Sequence, residues 1–366
     1  ALVADGVSIT GVRDLVLDAS ARTSATSEAR MGAEAPGSGG GSGVAVVPAV
    51  AITLSNVTTT ARVGLAAASP FAVDRDLVIR AAQHATATAL GGATATAGQA
   101  AVGIALGLAI APHGATATLA RDARAGRDIR LSASSVSSAT AAGEASASGA
   151  PEEAAGDAEP DPGNGKSGVD RQVTAQRDYA DEAAASNGVA GSGTAESPNA
   201  ETSGGSVAVA AAVGVVISTI AVEAGVTADV TLLVAGRTVE LASAANADSA
   251  SRADASATDG GTAGIGAGVA LTLHTVSNRA IVPAWLTVEA ENLTLRAVVA
   301  VDGADSTATV SAASTAGAAG GVGVAGSVAI AIIDQDALAA VHGTVVLTGG
   351  DLSATAASDL AVTVTA

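Results

Sequence analysis

The sequence predicts an all-β protein, namely a repetitive, β-solenoid-like elongated array of about 54-residue units with one disordered or loosely folded acidic insertion. Three observations predict this fold: a short strand pattern that recurs along the chain, a near absence of aromatic side chains, and alternation of Ala with Ser, Thr or Val. Residues 1–138 and 206–366 form the two parts of the array, and residues 139–205 form a flexible insertion rich in Ala, Ser and Gly.

Composition limits how thick the interior can be. Hydrophobic residues make up 48% of the chain, yet Phe71, Tyr179 and Trp285 are its only aromatic residues, and 44 glycines are interspersed. Ala, Val, Ile and Leu cannot fill a deep core, so we expect thin layers whose backbones approach closely.

The recurring pattern, here called the anchor strand, is a polar residue followed by alternating aliphatic residues. The six anchor strands begin at Asp14, Asp76, Asp128, Thr238, Asn292 and Asp351. Their intervals are 62, 52, 110, 54 and 59 residues, and the long interval contains the insertion. We interpret the anchor Asp residues as turn formers, because Asp hydrogen-bonds nearby backbone and tolerates tight turns. A stacked calcium-binding Asp ladder is the alternative.

Each unit continues in the same order after its anchor. Ala alternating with Ser or Thr comes first, then a Gly-rich break, then an apolar run such as Val207–Val222, and then a short β-rich return. We predict that the Ala face packs inward, that Ser and Thr meet water, and that Val207–Val222 forms a buried strand pair. Long hairpins turning at the Gly-rich breaks complete the predicted units. A string of small, separate β-sandwiches remains an alternative.

The insertion holds the one candidate metal-binding segment. Oxygen-bearing side chains recur there at alternating positions, as in calcium loops: Asp157, Glu159, Asp161, Asn164 and Asp170. Pro162 stands where an EF-hand needs Gly, so a solvated acidic loop is the favoured interpretation and calcium the alternative. No other cofactor is expected.

Charge and the available side chains exclude several functions. The net charge of −18 disfavours nucleic acid and anionic membranes as partners, and the apolar runs are too interrupted for a membrane span. His84, His113, His274 and His342 lie in different units, and we expect each at a solvent-facing strand position. The chain is therefore predicted not to be an enzyme; a carbohydrate-active β-helix is the remaining enzymatic alternative.

The apolar segment Gly323–Ile330, followed by a strand of the Asp-Leu-x-Leu-x-Ala-x-Ser type, resembles the repeats of filamentous haemagglutinin-like and leukotoxin-like bacterial adhesins. The resemblance covers nearly the whole chain outside 139–205. It implies a structural repeat region of a secreted or cell-surface fibre or adhesin, acting as a stalk or filament in adhesion or cell-cell contact. Implied partners are other copies in a fibre, and glycans or proteins of host or neighbouring cells. A glycan- or cell-surface-binding module is the alternative function.

Overall fold

The computed structural model describes residues 1–35, 43–65, 71–149, 207–301, 303 and 305–366. All regular secondary structure in these residues is β-strand. The strands are β1 Leu2–Val3, β2 Leu15–Ala35, β3 Val44–Leu54, β4 Val57–Val63, β5 Phe71–Val73, β6 Leu77–Ala97, β7 Ala100–Leu119, β8 Ala123–Ala125, β9 Ile129–Gly149, β10 Val207–Val226, β11 Leu232–Ala235, β12 Thr238–Val282, β13 Thr287–Ala290, β14 Asn292–Val298, β15 Ala308–Val341, β16 Thr344–Leu347, β17 Leu352–Ala356 and β18 Leu360–Thr365.

Every strand pairing between these elements is parallel. Thirteen strands form one large sheet and five short strands form a second. Layer A consists of β2, β6, β9, residues 238–258 of β12, β14, residues 308–318 of β15, β17 and β18. Layer B consists of β1, β3, β4, β7, β10, residues 263–282 of β12 and residues 322–341 of β15. The return sheet consists of β5, β8, β11, β13 and β16.

The large sheet folds back on itself and is nearly closed, because β12 and β15 each run through both layers. Residues 239–258 of β12 pair with β9 in layer A, and residues 263–280 pair with β10 in layer B. Register shifts between Ala257 and Ala263 bend the strand at its Gly-rich break. The arrangement is a parallel, β-helix-like sheet.

The anchor alignment made from sequence is confirmed by strand register. Leu15 pairs with Leu77, Leu77 with Ile129, and Ile129 with Val239. The next partners are Leu293 and Leu352. The six anchor strands therefore lie side by side, one per unit.

The predicted architecture, an elongated β-solenoid-like array of hairpin-bearing units, is wrong in two respects. The two long strands of a unit lie in opposite layers and pair only with neighbouring units, so the described strands form no hairpin ladder. At a spacing of about 4.8 Å between strands, six stacked units span only about 24 Å, whereas a 21-residue strand such as β6 extends about 70 Å. In these six units the long dimension therefore runs along the strands. The Gly-rich breaks carry the chain from layer A to layer B without ending its pairing with the adjacent unit, and for this reason the two long strands of a unit do not pair with each other.

Large side chains are concentrated where the return sheet meets the anchor strands. The biggest fully buried residues here include Leu77, Ile79, Leu131, Leu241 and Leu295. Layer A, layer B and the return sheet surround this region, which gives the width that Leu and Ile need. The aliphatic residues of the anchor pattern thus form a conventional hydrophobic core at one edge of the molecule.

Elsewhere the two layers are separated by little more than backbone. Clusters of buried Ala fill this part of the interior. At Gly107, a Cβ atom would lie 2.3 Å from the carbonyl oxygen of Ala142 in the opposite layer, and at Gly143 it would lie 2.4 Å from that of Val213. The thin layers expected from composition are confirmed here, since only Gly permits this approach.

The predicted insertion begins inside a strand. Residues 139–149 belong to β9 and pair with β6 and β12. The rest of the insertion, 150–205, lies outside the described residues.

Candidate interaction surfaces

Layer B presents a flat aliphatic face, formed by the outward side chains of five adjacent strands. These side chains align in five rows through the parallel register. The aliphatic face comprises Val46, Pro48, Val50, Ile52 and Leu54 of β3; Val102, Ile104, Leu106, Leu108 and Ile110 of β7; Val209, Ala211, Val213, Val215 and Ile217 of β10; Ile265, Ala267, Val269, Leu271 and Leu273 of β12; and Val324, Gly326, Val328, Ile330 and Ile332 of β15. All but four are Val, Ile or Leu, none is charged, and none is buried.

This face exists because the side chains of layer B are arranged opposite to those of an ordinary sheet: most small side chains point into the protein and most large aliphatic ones point outward. Along β7, Ala101, Ala105 and Ala109 point inward and are fully buried, whereas Ile104 points outward and is 43% exposed. The narrow interior is filled mostly by Ala and Gly, with Val47, Val216 and Thr272 as larger buried exceptions, so strand alternation places most of the larger residues outside. The prediction that Val207–Val222 forms a buried strand pair is therefore wrong in two ways: the segment belongs to the single strand β10, and its outward Val209, Val213 and Val215 are only partly covered.

The aliphatic face is large for a free surface. Five strands at about 4.8 Å and nine residues at about 3.3 Å per residue give about 700 Å². The largest apolar patch on a typical monomer is about 300–600 Å² and is often functional. Leu54, Val46 and Ile332 remain 67%, 59% and 58% exposed.

Polar and charged residues border this face at one end of its strands. Thr219, Thr275 and Asp334 form the next outward row beyond Ile217. Further along, the guanidinium of Arg279 pairs with the carboxylate of Asp336 at 3.2 Å. An apolar centre with a polar rim is the usual anatomy of a protein interface.

The opposite side of the molecule is polar, as the alternation of Ala with Ser or Thr predicted. The polar face is the outward surface of layer A, where rows such as Thr26, Thr88 and Thr140 are in register. Their neighbours Ala87 and Ala139 are buried. The two broad sides thus differ completely in chemistry.

A groove of about 650 Å³ lies on the polar face. Its lining includes Arg30, Glu144, Arg252 and Asp254 together with the apolar side chain of Leu90. Glu144 and Asp254 are register partners on neighbouring strands, and Arg252 pairs with Asp254 at 3.4 Å. The groove offers both donors and acceptors beside one apolar surface.

The anchor residues join consecutive units through their side chains. The backbone N–H of Asp76 donates to Oδ1 of Asp14 (3.3 Å), that of Thr238 to Oδ1 of Asp128 (3.2 Å), and that of Asp351 to Oδ1 of Asn292 (2.9 Å). The sequence pattern predicted turns within each unit, but these side chains bond to the next one. The hydrogen bond from Arg13 lowers the pKa of Asp14 below its ordinary value.

Arginines that precede the anchors extend this column. Nε of Arg75 lies 3.8 Å from Asp14, and Nε of Arg127 lies 3.7 Å from Asp76. Each guanidinium thus faces the carboxylate of the preceding unit. The anchor pattern did not include these arginines, although their fixed place before the anchor Asp is a visible signal in the sequence.

Arg121 fixes the first residues of the chain against layer B. Its side chain is buried and donates to backbone carbonyls of Gly64, Val7 (2.7 Å) and Leu65 (2.9 Å). Burial lowers the pKa of Arg121, and the nearby Asp5 opposes that shift. These contacts assign it a structural role.

Two of the four histidines are buried, contrary to prediction. His113 is 3% exposed, with Nδ1 2.6 Å from Oγ of Ser137 and Nε2 3.0 Å from Oγ of Ser55. His274 is 1% exposed, and its Nδ1 lies 2.9 Å from Oγ of Ser249. Burial lowers the pKa of both rings, so they are neutral at pH 7.

The other two histidines lie open to solvent as expected, but only His84 is within a strand, because His342 follows the end of β15. His84 is partly exposed and His342 is exposed. Layer A places His84 in an outward row beside Arg22 and Val136.

The candidate calcium ligands Asp157, Glu159, Asp161, Asn164 and Asp170 lie outside the described residues. Within the residues that are described, no three His, Asp or Glu side chains come together as a metal site would require. That part of the chain also contains no helix with the length and apolar character of a membrane crossing.

No family model, curated protein or solved structure matches this chain.

Proposed function

We propose that this chain is a non-enzymatic structural repeat region of a secreted or cell-surface bacterial fibre or adhesin, serving as a stalk or filament section in adhesion or cell-cell contact. The observation that carries the proposal is the continuous, in-register connection of all six units. A structural element under load needs each unit bound to the next over many residues.

The connections are extensive in both layers. β10 pairs with β7 over its whole length, from Val207 to Val226. In layer A, β6 and β9 pair from Leu77 to Ala97. Each hydrogen bond adds a modest net stabilisation of about 1 kcal/mol, so long ladders resist separation through their number.

The anchor column adds side-chain bonds that are specific to register. A slip of one residue would move the acceptor oxygens of Asp14, Asp128 and Asn292 away from their N–H partners and would turn the Ala positions of layer A outward. Asn292 accepts the corresponding bond with a neutral side chain, so this contact does not depend on a charge at the anchor position. The column thus supports a rigid section with one register.

A display experiment tests the proposal. The complete chain is placed between a cell-surface anchor and a binding domain of known ligand, and capture of ligand-coated beads under flow is compared with direct fusion of the domain to the anchor. Cells that display the fusion containing the chain should keep their capture, and the fusion should resist proteolysis at the cell surface. Loss of capture through cleavage or collapse of the inserted section would contradict a stalk role.

The groove on the polar face favours a second candidate, a glycan-binding module. Paired carboxylates beside Arg252 can bond the hydroxyl groups of a sugar, and Leu90 can contact its apolar side. A glycan array probed with the whole chain and with Arg252→Gln tests this. Arg80→Gln, on the same face away from the groove lining, is the matched control. Binding that survives Arg252→Gln, or fails equally with Arg80→Gln, would reject the groove as the site.

A further inference from the structure

We infer that the aliphatic face of layer B is a self-association surface, which pairs face to face with the aliphatic face of a second copy of this chain. The inference goes beyond the proposed structural role, because it assigns a lateral contact and its partner. It depends on the geometry of layer B and holds whether or not the chain works in adhesion.

The area of the face corresponds to that of a stable protein interface. Its five rows cover about 700 Å², and the outward Val44, Val207 and Val322 extend it by one further row. A standard interface buries about 800 Å² on each partner. One further copy could therefore cover the face completely.

Shape favours the same partner. A parallel sheet repeats every ~4.8 Å across the strands, and outward residues repeat every ~6.6 Å along them. Two copies of one face carry the same lattice of mostly aliphatic side chains, so the rows of one can lie between the rows of the other. A two-fold axis through the contact makes the surface self-complementary, with the sheets about 10 Å apart as in other stacked sheets.

Charge is placed so that association remains possible despite the net charge of −18. The five rows contain no ionisable group, and the ion pair between Arg279 and Asp336 lies at the end of the strands. The polar face, with its carboxylates, would point away from the contact. Because repulsion between the copies is screened by salt, association should strengthen as ionic strength rises.

Two other occupants fit the face less well. A lipid surface is disfavoured because the chain has a single Trp and a single Tyr, few basic residues and a large negative charge, the opposite of a typical membrane-surface protein. Residues 150–206 offer little apolar surface that could cover the aliphatic face. Apart from prolines, their only apolar side chains larger than Ala are Val169, Val173, Tyr179 and Val189.

Sedimentation analysis of the complete chain tests the inference. We expect a species of twice the 34.3 kDa chain mass at micromolar concentration. Val269→Lys, in the middle row of the face, should raise the dissociation constant at least ~100-fold because an unpaired ammonium would be buried in the contact. Thr140→Lys makes the same charge change on the polar face and should leave the dimer intact.

Val269→Thr is a second variant that should fold normally, since Thr keeps the shape and strand preference of Val. It separates a loss of dimer from a loss of fold. It should weaken the dimer by about 10-fold with no change in circular dichroism. A wild-type chain that stays monomeric at 100 times that concentration would overturn the inference. So would equal dimerisation of the two Lys variants.

Cross-linking locates the contact. The chain contains no Cys, so Val269→Cys supplies a single thiol on the face and Thr140→Cys one on the polar face. Oxidation should link Val269→Cys pairs at least 10-fold faster than Thr140→Cys pairs. Equal rates would overturn the face-to-face geometry. A monomer that floats with neutral phosphatidylcholine vesicles would instead assign the face to lipid.

Discussion

Gly91 offers the sharpest test of how closely the two layers approach. It lies on β6 facing layer B, and a Cβ atom there would sit 2.5 Å from the carbonyl oxygen and 2.9 Å from the carbonyl carbon of Leu106. These are backbone atoms of an internal strand, which cannot rotate away. Restoring ordinary contact at about 3.4 Å requires the layers to separate locally by about 1 Å.

That separation defines the expected loss of stability. A gap of about 0.5–1 Å forfeits a quarter to a half of the dispersion attraction between the atoms that it parts, and overpacked interiors usually lose about 1–3 kcal/mol. We therefore expect Gly91→Ala to lower the free energy of unfolding by about 2 kcal/mol. The neighbouring Gly92 faces outward, and its Cβ would meet nothing closer than Cγ of Arg30 at 3.6 Å.

Gly92→Ala is the matched control on the same strand. It should be neutral or stabilise by up to about 1 kcal/mol, because Ala restricts the unfolded chain more than Gly does. Urea unfolding followed by far-ultraviolet circular dichroism measures both variants. Equal unfolding free energies for the two variants, within about 0.5 kcal/mol, would refute the close approach of the layers.

Three further predictions concern polar contacts. Asp128→Ala should cost about 1–3 kcal/mol in urea unfolding because it leaves the N–H of Thr238 without its acceptor, and Asp128→Asn should recover most of that loss. Arg121→Met should increase proteolysis within residues 1–14, as seen by mass spectrometry, with unchanged cleavage elsewhere. Burial lowers the pKa values of His113 and His274 in the folded chain, so the unfolded chain binds protons more readily as pH falls below about 6.5. The contribution of these two rings to the free energy of unfolding should be full above that pH. Below it, the free energy of unfolding should decline by up to about 1.4 kcal/mol per pH unit for each ring. A double His→Gln variant should remove that slope.

Unit boundaries were predictable from sequence because they depend on local chemistry repeated at one place. The anchor strands combine a polar residue with alternating aliphatic residues, and both features serve pairing between units. The inward position of Ala in layer A was predictable for the same reason, since strand alternation fixes which side chains share a face.

Pairing direction was not predictable, because a Gly-rich break permits two outcomes. It can close a hairpin, in which consecutive strands pair, or it can carry the chain to an opposite layer. Here Gly264, Gly266 and Gly268 follow the break in β12, and a Cβ atom on any of them would lie within 2.6 Å of a backbone oxygen in residues 315–319 of β15. Such glycines at alternating positions are a signal for close layer packing, which hairpin strands do not need. Similarly, the burial of His113 depends on Ser55 and Ser137, which are distant in sequence.

Inversion of side-chain size in layer B also reverses the usual effect of mutations. In an ordinary core, shortening a large apolar side chain lowers the free energy of unfolding by about 2–5 kcal/mol. We expect this loss for Leu131→Ala, because Leu131 is fully buried beside the return sheet. On the aliphatic face, Val269 is 39% exposed, so Val269→Ala should cost under about 1 kcal/mol in the monomer.

Enlarging an inward residue should be the damaging change. Ala105 is fully buried between the layers, one residue from the outward Ile104. Ala105→Val raises strand propensity, yet its two added methyl groups would crowd the opposite layer, which approaches closely at the flanking Gly103 and Gly107, so we expect a loss of about 1–3 kcal/mol. Urea unfolding under conditions that keep the chain monomeric compares it with Val269→Ala. If Val269→Ala were the more damaging of the two, the space between the layers would have to be wider than the Gly and Ala contacts indicate. The outward Val and Ile residues would then have to stabilise the fold of the single chain. If Ala105→Val is the more damaging, the outward Val and Ile residues contribute little to that fold, which leaves contacts with another molecule as their role.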